Sequence, residues 1–166
     1  MNAVKFYRSG FVQRYHQNPE MSPFGQNNGA HQWGVCTLLL ILFPDVSRSL
    51  LINALTHDVG ELDAGDLSKW TKEQNPELAK MHRDFESGCR FNIIGEPLFD
   101  HSIPFHAEAD RLWLCDKLEA VLFTATFKPD LITKRGWSEQ IEQLRHMASK
   151  LGCRKSFDAL LKGVLE

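Results

Sequence analysis

The sequence lacks both an excess of charge and a long apolar run. Its 166 residues contain 19 Lys and Arg against 21 Asp and Glu, so the formal net charge is only −2. Such a balance argues against a broad surface for nucleic-acid polymers, because no long-range field attracts a polyanion. The most apolar stretch runs only from Val35 to Phe43, well short of the ~20 residues that a membrane-spanning helix needs. We therefore expect a globular protein with neither a membrane nor a nucleic-acid polymer as partner.

Paired cysteines are also missing. Cys36, Cys89, Cys115 and Cys153 are far apart in the sequence, and without a CxxC pair the zinc-ribbon and thioredoxin-like classes are excluded. Cys36 and Cys115 lie in apolar runs, which is typical of reduced core thiols. The opening MNAVKFYRSGF has no long apolar region and no small-residue cleavage site, so we expect no signal peptide. Together these features predict a cytoplasmic protein.

Helical patterns dominate the sequence. Asn27 or Asn28 is the predicted cap of a helix that Pro44 stops, and Asn75 followed by Pro76 predicts the start of another. We expect a polar, glycine-punctuated connection over residues 60–74 and a loop over 95–106. Short connections between helices predict one all-α, bundle-like domain that covers residues 1–166. The predicted helices cover residues 27–43, 45–58, 75–95, 107–127, 138–152 and 155–166, with another within the first dozen residues.

Local signals also predict where two of these helices begin and end. Asp45 is the predicted N-cap of the second helix, and Gly60 lies just past its end. Ser138 is the predicted cap of the helix that Gly152 stops.

Four ionisable residues form a pattern when they are placed on these helices. His31 lies on a stripe whose i+4 and i+7 positions are apolar, so its ring should point inward. His57 and Asp58 follow an apolar run, and Asp116 lies on a largely apolar helix face. Buried carboxylates are costly unless they are paired, and a divalent metal ion would neutralise both Asp58 and Asp116. Each residue has an ordinary alternative as a core histidine, a cap or an ion-pair partner, and spacing alone leaves both interpretations open.

The order of these residues resembles the HD-domain metal-dependent phosphohydrolases. The segment THDVGELDAGDLSKWTK is similar to the family block H-D-x-x-E-x-x-x-x-D-x-x-x-x-x-K. RYHQNP resembles the Arg-Trp motif near the family's start, and LWLCDKLEA resembles the helix of its last metal ligand. These pieces occur together in the 5′-deoxynucleotidase branch and its small phage relatives, which include dATP triphosphohydrolases. Two positions depart from the pattern, because Ala30 stands where Glu often precedes the first His, and Tyr15 replaces the usual Trp.

The resemblance implies a metal centre and a proton-handling pair. Its ligands would be His31, His57, Asp58 and Asp116, and the ion would be Co, Mn, Zn or Mg. Glu61 would be the general base that activates the metal-bound water. Its ordinary alternative is a solvated residue at a helix end. Asp66 would be a second catalytic carboxylate brought back by the flexible Gly65, or else the N-cap of a short helix over residues 67–70.

The resemblance also implies residues that bind the substrate. Arg14 and Lys72 would contact phosphate oxygens, although an isolated Lys or Arg is by default a surface residue. Tyr15 would stack on the base, and Gln17, with its neighbours His16 and Asn18, would read the base edge. Trp33 flanks the first metal ligand and is a candidate for the pocket wall.

The implied function is that of a deoxynucleotide hydrolase. The leading expectation is a triphosphohydrolase that converts dATP or a related dNTP to deoxynucleoside and triphosphate, in the host cytoplasm if the chain is phage-encoded. A 5′-deoxynucleotidase acting on dNMP is the alternative, and a non-catalytic nucleotide sensor is an alternative of another class. We also expect a homo-oligomer, by family analogy.

Overall fold

The computed structural model describes residues 1–95 and 105–165. Over those residues the chain forms α-helices, a short 3₁₀ helix at Ser22–Phe24 and one isolated antiparallel bridge between Gln13 and Asn27, with no strand. The all-α prediction is therefore confirmed. The helices are α1 (Ala3–Ser9), α2 (Asn28–Leu42), α3 (Arg48–Thr56), α4 (Glu61–Ala64), α5 (Lys69–Gln74), α6 (Pro76–Ile94), α7 (Phe105–Phe127), α8 (Pro129–Ile132), α9 (Arg135–Lys150) and α10 (Arg154–Leu165).

Two long helices begin at the predicted caps. The side chain of Asn27 accepts a hydrogen bond from the Ala30 amide at 2.9 Å, and α2 ends before Pro44. The side chain of Asn75 accepts from the Leu78 amide at 3.2 Å, and Pro76 is the first residue of α6. Side-chain oxygens thus bind amides that have no partner within their own helix, as the sequence predicts.

Two predicted caps are wrong. The cap of α3 is Ser47, whose Oγ accepts from the Leu50 amide at 2.9 Å, whereas Asp45 lies too early and accepts from Arg111 Nη2 at 3.0 Å. Helix α9 already begins at Arg135, so Ser138 lies inside the helix rather than at its cap.

Helix α3 ends at Thr56, two residues earlier than predicted. The Thr56 hydroxyl donates to Ile52 O at 2.7 Å, and Nδ1 of His57 lies 2.7 Å from Ala54 O. The His57 ring thereby occupies the Ala54 carbonyl, which would accept from the Asp58 amide if the helix continued. Gly60 is not a left-handed cap of this helix, because its φ is −62°. His57 and Asp58 consequently lie in a turn rather than within the helix end.

The predicted connection over residues 60–74 contains two short helices, α4 and α5. Ser68 caps α5 by accepting from the Thr71 amide at 3.1 Å, so the interpretation of Asp66 as that cap is wrong.

In the predicted loop at 95–106, residues 96–104 lie outside the described residues, and α7 begins at Phe105. Helix α8 was not predicted. Gly152, at φ 74°, follows α9 as predicted.

The chain divides into two compact units. The first unit contains residues 1–33 and 52–100, and the second contains residues 34–51 and 101–166. In the first unit, α1, α4 and α5 pack against α6, and α1 also contacts α4. Val59, Ile93 and Ile94 are buried at these contacts, with Phe6 and Leu62 packed against them. This small apolar cluster supports the turn that carries His57 and Asp58.

The second unit has a larger apolar interior. Helix α7 packs against α8, α9 and α10, and α10 also packs against α9. Leu118, Leu144, Phe157 and Leu161 are buried among the helices of this unit. The four cysteines are free thiols. Of the two that were expected in the core, Cys115 is buried and Cys36 is half-buried.

Two further expectations concern the whole chain. No described helix has the length and apolar character needed to cross a membrane. The prediction of one functional domain over residues 1–166 stays a prediction.

Candidate metal centre

Three of the predicted metal ligands converge in the first unit. His31 is completely buried on the first turn of α2, and His57 and Asp58 lie in the turn after α3. Nε2 of His31 lies 3.3 Å from Nε2 of His57. Asp58 Oδ1 lies 3.3 Å from Nε2 of His57, and its Oδ2 lies 3.6 Å from Nε2 of His31. Ligand atoms from one helix and the turn after another therefore face one small volume.

The spacing of these atoms fits a shared divalent ion. Two ligands bound to zinc at about 2.0–2.1 Å with tetrahedral angles lie about 3.3 Å apart. The two Nε2 atoms of His31 and His57 are 3.3 Å apart, and the Asp58 carboxylate lies 3.3 Å from His57 through Oδ1 and 3.6 Å from His31 through Oδ2. One ligand atom from each of the three residues lies within 4.8 Å of the others. The group could therefore hold a metal ion.

The hydrogen bonding of His57 supports the same conclusion. Its Nδ1 lies 2.7 Å from Ala54 O, which only accepts hydrogen bonds. Nδ1 must therefore carry a proton, which leaves the lone pair of a neutral ring on Nε2. Metal-binding histidines generally have this arrangement, with one nitrogen donating to a carbonyl and the other facing the ion.

Arg14 contacts this group directly. Its Nη1 donates to Asp58 Oδ2 at 2.7 Å, and both side chains are largely buried. The backbone nearby is held in place, because the Arg14 amide donates to Gln26 O and the Asn28 amide donates to Val12 O. Tyr15 has a left-handed backbone, with φ 58°, a conformation that non-glycine residues adopt at some cost. The chain thus brings the predicted phosphate ligand to the metal group, while its role in binding phosphate stays a prediction.

Glu61 is buried beside Asp58. Its amide donates to Asp58 O at 3.1 Å, and its Oε2 accepts from Asn28 Nδ2 at 2.8 Å. Burial, and then the charges of Asp58 and Asp66, raise the pKa of Glu61 to about 8. The interpretation of Glu61 as a solvated residue is therefore wrong. A carboxyl group with such a pKa is suited to exchanging protons near neutral pH.

Glu86 completes a second acidic group that the sequence did not reveal. One carboxylate oxygen from each of Asp58, Glu61 and Glu86 lies within 4.8 Å of the others. Burial and the charge of Asp58 raise the pKa of Glu86, and the charge of Lys72 opposes the shift. Lys72 is half-buried on α5. The predicted phosphate-binding lysine thus lies in the same electrostatic environment as the acidic group.

The close approach of α6 explains why residue 60 is a glycine. A Cβ atom at this position would lie 2.2 Å from Glu86 O. Only glycine permits this separation without moving the backbone, and its φ of −62° shows that space rather than backbone conformation requires it.

Asp66 lies in the loop between α4 and α5. Its Oδ2 is 4.0 Å from Nδ1 of His16, and its side chain is mostly shielded. Gly65 has φ 78°, and its carbonyl lies 2.9 Å from Nε2 of His82. The glycine therefore does turn the chain, as the sequence suggested, and His82 holds that turn. The catalytic role of Asp66 stays a prediction.

The remaining predicted site residues, Gln17, Trp33 and Asp116, lie in different parts of the chain. Gln17 Oε1 accepts from the Ser68 amide at 3.3 Å, which ties its loop to the start of α5. Trp33 is 70% exposed, so the structure does not show it as a pocket wall. Asp116 lies on α7 in the second unit, where its Oδ2 accepts from Lys117 Nζ at 2.8 Å. Its assignment as a fourth ligand stays a prediction.

Helix α6 contributes a polar stripe that sequence analysis did not identify as functional. His82, Glu86 and Arg90 follow one another at intervals of four residues and therefore share a helix face. Their contacts are with Gly65, with the acidic group and with the end of α3, respectively. The spacing is visible in the sequence, but the elements that it faces are not.

Comparison with known proteins does not assign the chain to a family. No protein-family model matches the chain, and no curated protein or solved structure matches it. The site must therefore be judged on its own geometry.

Proposed function

We propose that this protein is a metal-dependent phosphohydrolase of the HD-domain type that acts on deoxynucleotides. The observation that carries the proposal is the convergence of His31, His57 and Asp58 with spacings that fit one divalent ion. The preferred reaction is hydrolysis of dATP or a related dNTP to deoxynucleoside and triphosphate. Water would attack the α-phosphorus, and the bond to the 5′ oxygen of the sugar would break.

Each side chain of the motif would have a task in this reaction. When bound, the metal would supply Lewis-acid activation of a phosphoryl oxygen and of a water molecule. Glu61 would accept the proton of the attacking water. Arg14 and Lys72 would bind phosphate oxygens through charge-assisted hydrogen bonds. Asp66 would act as the second proton-handling carboxylate.

The choice of a deoxynucleotide rests on the resemblance of the motifs. We assign base recognition to Tyr15 and Gln17 and the fourth metal position to Asp116. A homo-oligomer and a cytoplasmic site of action belong to the same proposal. The ion would be Co, Mn, Zn or Mg, because imidazole and carboxylate ligands suit all four to different degrees.

The direct test is a substrate panel. Purified protein is incubated with each dNTP and each dNMP in Mg, Mn, Co or Zn, and products are identified by chromatography. Triphosphate release from dATP is expected, and Asp58→Ala should abolish both metal binding and turnover. Asp63→Ala is the matched control, because Asp63 lies in the same segment but pairs with Lys5 outside the metal group.

The other outcomes would identify the alternatives. Phosphate release from several dNMPs, with no activity on dNTPs, would indicate a 5′-deoxynucleotidase. Tight nucleotide binding without turnover in any metal would indicate a sensor. Failure of the wild-type protein to bind a divalent metal would overturn the proposal.

A further inference from the structure

A half-buried arginine contacts the end of the helix that precedes His57 and Asp58. Arg90 lies on α6, and its Nη2 donates to Asn53 Oδ1 at 2.6 Å and to Thr56 Oγ1 at 2.7 Å. Both acceptors belong to the last turn of α3. Burial lowers the pKa of Arg90 to about 10, so the guanidinium remains charged at neutral pH. A cation at this position also suits the negative end of the α3 dipole.

Thr56 transmits this contact to the backbone. The residue is buried, and its hydroxyl donates to Ile52 O at 2.7 Å while its oxygen accepts from Arg90. The hydroxyl therefore uses both its donor and its acceptor capacity. Because Thr56 directly precedes His57, a fixed Thr56 backbone limits the directions in which His57 and Asp58 can project.

The same turn is fixed a second time through His57 itself. Its Nδ1 bonds to Ala54 O, which lies between Asn53 and Thr56 in the sequence. Asn53 and Thr56, which accept from Arg90, therefore lie on either side of Ala54 in the sequence. The carbonyl of Ala54 is the group that orients the His57 ring. A guanidinium has no lone pair to offer a metal ion, so Arg90 cannot itself be a ligand. It can act on the metal group through this turn and through its charge, which interacts with Asp58 and Glu86.

We infer that Arg90 is a positioning residue, which holds the end of α3 so that His57 and Asp58 face His31 in a metal-binding geometry. This inference rests on the proposed metal centre. It assigns to α6 a role in organising the site.

The test measures metal affinity rather than turnover. Co²⁺ is titrated into the wild type and into Arg90→Met, with the visible absorption of bound Co²⁺ as the signal and zinc competition as a second measurement. Loss of an outer-shell support typically weakens metal binding about 10- to 100-fold, and we expect Arg90→Met to fall in that range with an altered Co²⁺ spectrum. Arg83→Met is the matched control, because Arg83 is an exposed arginine on the same helix.

Two more variants keep the test decisive. Arg90→Lys should recover part of the affinity, because an ammonium group can also donate to both oxygens. Thr56→Val keeps the side-chain shape and the charge of Arg90, but it removes the hydroxyl and with it the hydrogen bonds to Arg90 and to Ile52 O. It should therefore weaken Co²⁺ binding and change the spectrum even if Arg90→Met does not fold.

The outcomes separate this inference from the proposed function. Normal Co²⁺ affinity and spectrum in folded Arg90→Met or in Thr56→Val would overturn the positioning role and leave the metal centre intact. Failure of the wild type to bind Co²⁺ or zinc would overturn both.

Discussion

The two units of this protein have different interiors. Among the described residues, the first unit buries many polar side chains, whereas the second buries mainly apolar ones. The buried polar residues of the first unit are Ser9, Gln26, Asn28, His31, Gln32, Thr56 and Glu61, and those of the second are Glu119 and Thr124. Burying a polar group costs free energy unless it is paired. Such groups collect at functional sites, where chemistry rather than stability selects them.

This contrast suggests a division of labour. The second unit buries more of the apolar residues that stabilise a fold, and the first contains every proposed metal ligand except Asp116. Apart from Asp116, substitutions should therefore affect mainly stability in the second unit and mainly metal binding in the first.

The largest effect on stability is expected in the second unit. Leu161 on α10 is 3% exposed, and Leu161→Ala should lower the free energy of unfolding by about 2–5 kcal/mol through lost burial and a new cavity. Leu165, one turn later, is 51% exposed. Leu165→Ala should therefore change the free energy of unfolding by less than about 0.5 kcal/mol. Urea denaturation measures both. Equal losses in the two variants would contradict the assignment of the core.

The largest effect on metal binding is expected in the first unit. His57→Ala removes a ligand, and its zinc affinity should fall by more than the roughly 100-fold that loss of an outer support can cause. His146, an exposed histidine on α9 in the second unit, provides the control, and His146→Ala should bind zinc normally. Competition with a chromogenic chelator measures both affinities. Unchanged binding in His57→Ala would remove this residue from the centre.

The apolar interior of the second unit should also suppress thiol chemistry. Burial raises the pKa of Cys36 from its ordinary 9.0 to about 11. A higher pKa leaves less thiolate at a given pH, so alkylation of Cys36 at pH 8 should be roughly 100-fold slower in the folded chain than in the unfolded chain. Its rate should be half-maximal near pH 11, whereas that of the unfolded chain should be half-maximal near pH 9. Peptide mapping after iodoacetamide treatment gives the rate, and a half-maximal rate near pH 9 in the native protein would contradict the burial argument.

Some of the helix boundaries could be predicted from the sequence. The caps at Asn27 and Asn75 predict α2 and α6 because capping is a local property. The end of α3 is harder to predict, because the periodic pattern does not reveal that the His57 ring will bond to the Ala54 carbonyl in its own last turn. A helical pattern continues through these residues, and therefore the predicted boundary was too late.

The site was predictable to a similar extent. The motif identified His31, His57, Asp58 and Glu61, which the structure brings together in the first unit. It did not identify Glu86, because nothing in a linear sequence states which face of α6 approaches the turn. The pairing of residues on elements far apart in the chain is settled by packing, which local signals do not encode.

A smaller effect on stability is expected where α6 meets the first unit's turn. Gly60→Ala would place a Cβ 2.2 Å from Glu86 O, and overpacking of this kind typically costs about 1–3 kcal/mol. Gly88→Ala on α6 is the matched control, because its added Cβ would meet nothing within 4 Å. This control should be neutral or more stable by up to about 1 kcal/mol, since alanine favours the helix. Thermal unfolding compares the two, and a Gly60→Ala variant as stable as wild type would show that α4 and α6 are not in close contact.

The smallest effect is expected from a surface pair of the same unit. Lys5 Nζ lies 2.6 Å from Asp63 Oδ2, with side chains 46% and 34% exposed, so the two residues form an ion pair at the surface. An exposed pair of this kind contributes only about 0–1 kcal/mol, because solvent and salt screen it. A double-mutant cycle of Lys5→Ala and Asp63→Ala, measured by urea denaturation at low and high salt, should give a coupling in that range that shrinks with salt. A coupling that is larger and independent of salt would mean that charges between α1 and α4, rather than the small apolar cluster beneath them, hold the first unit together.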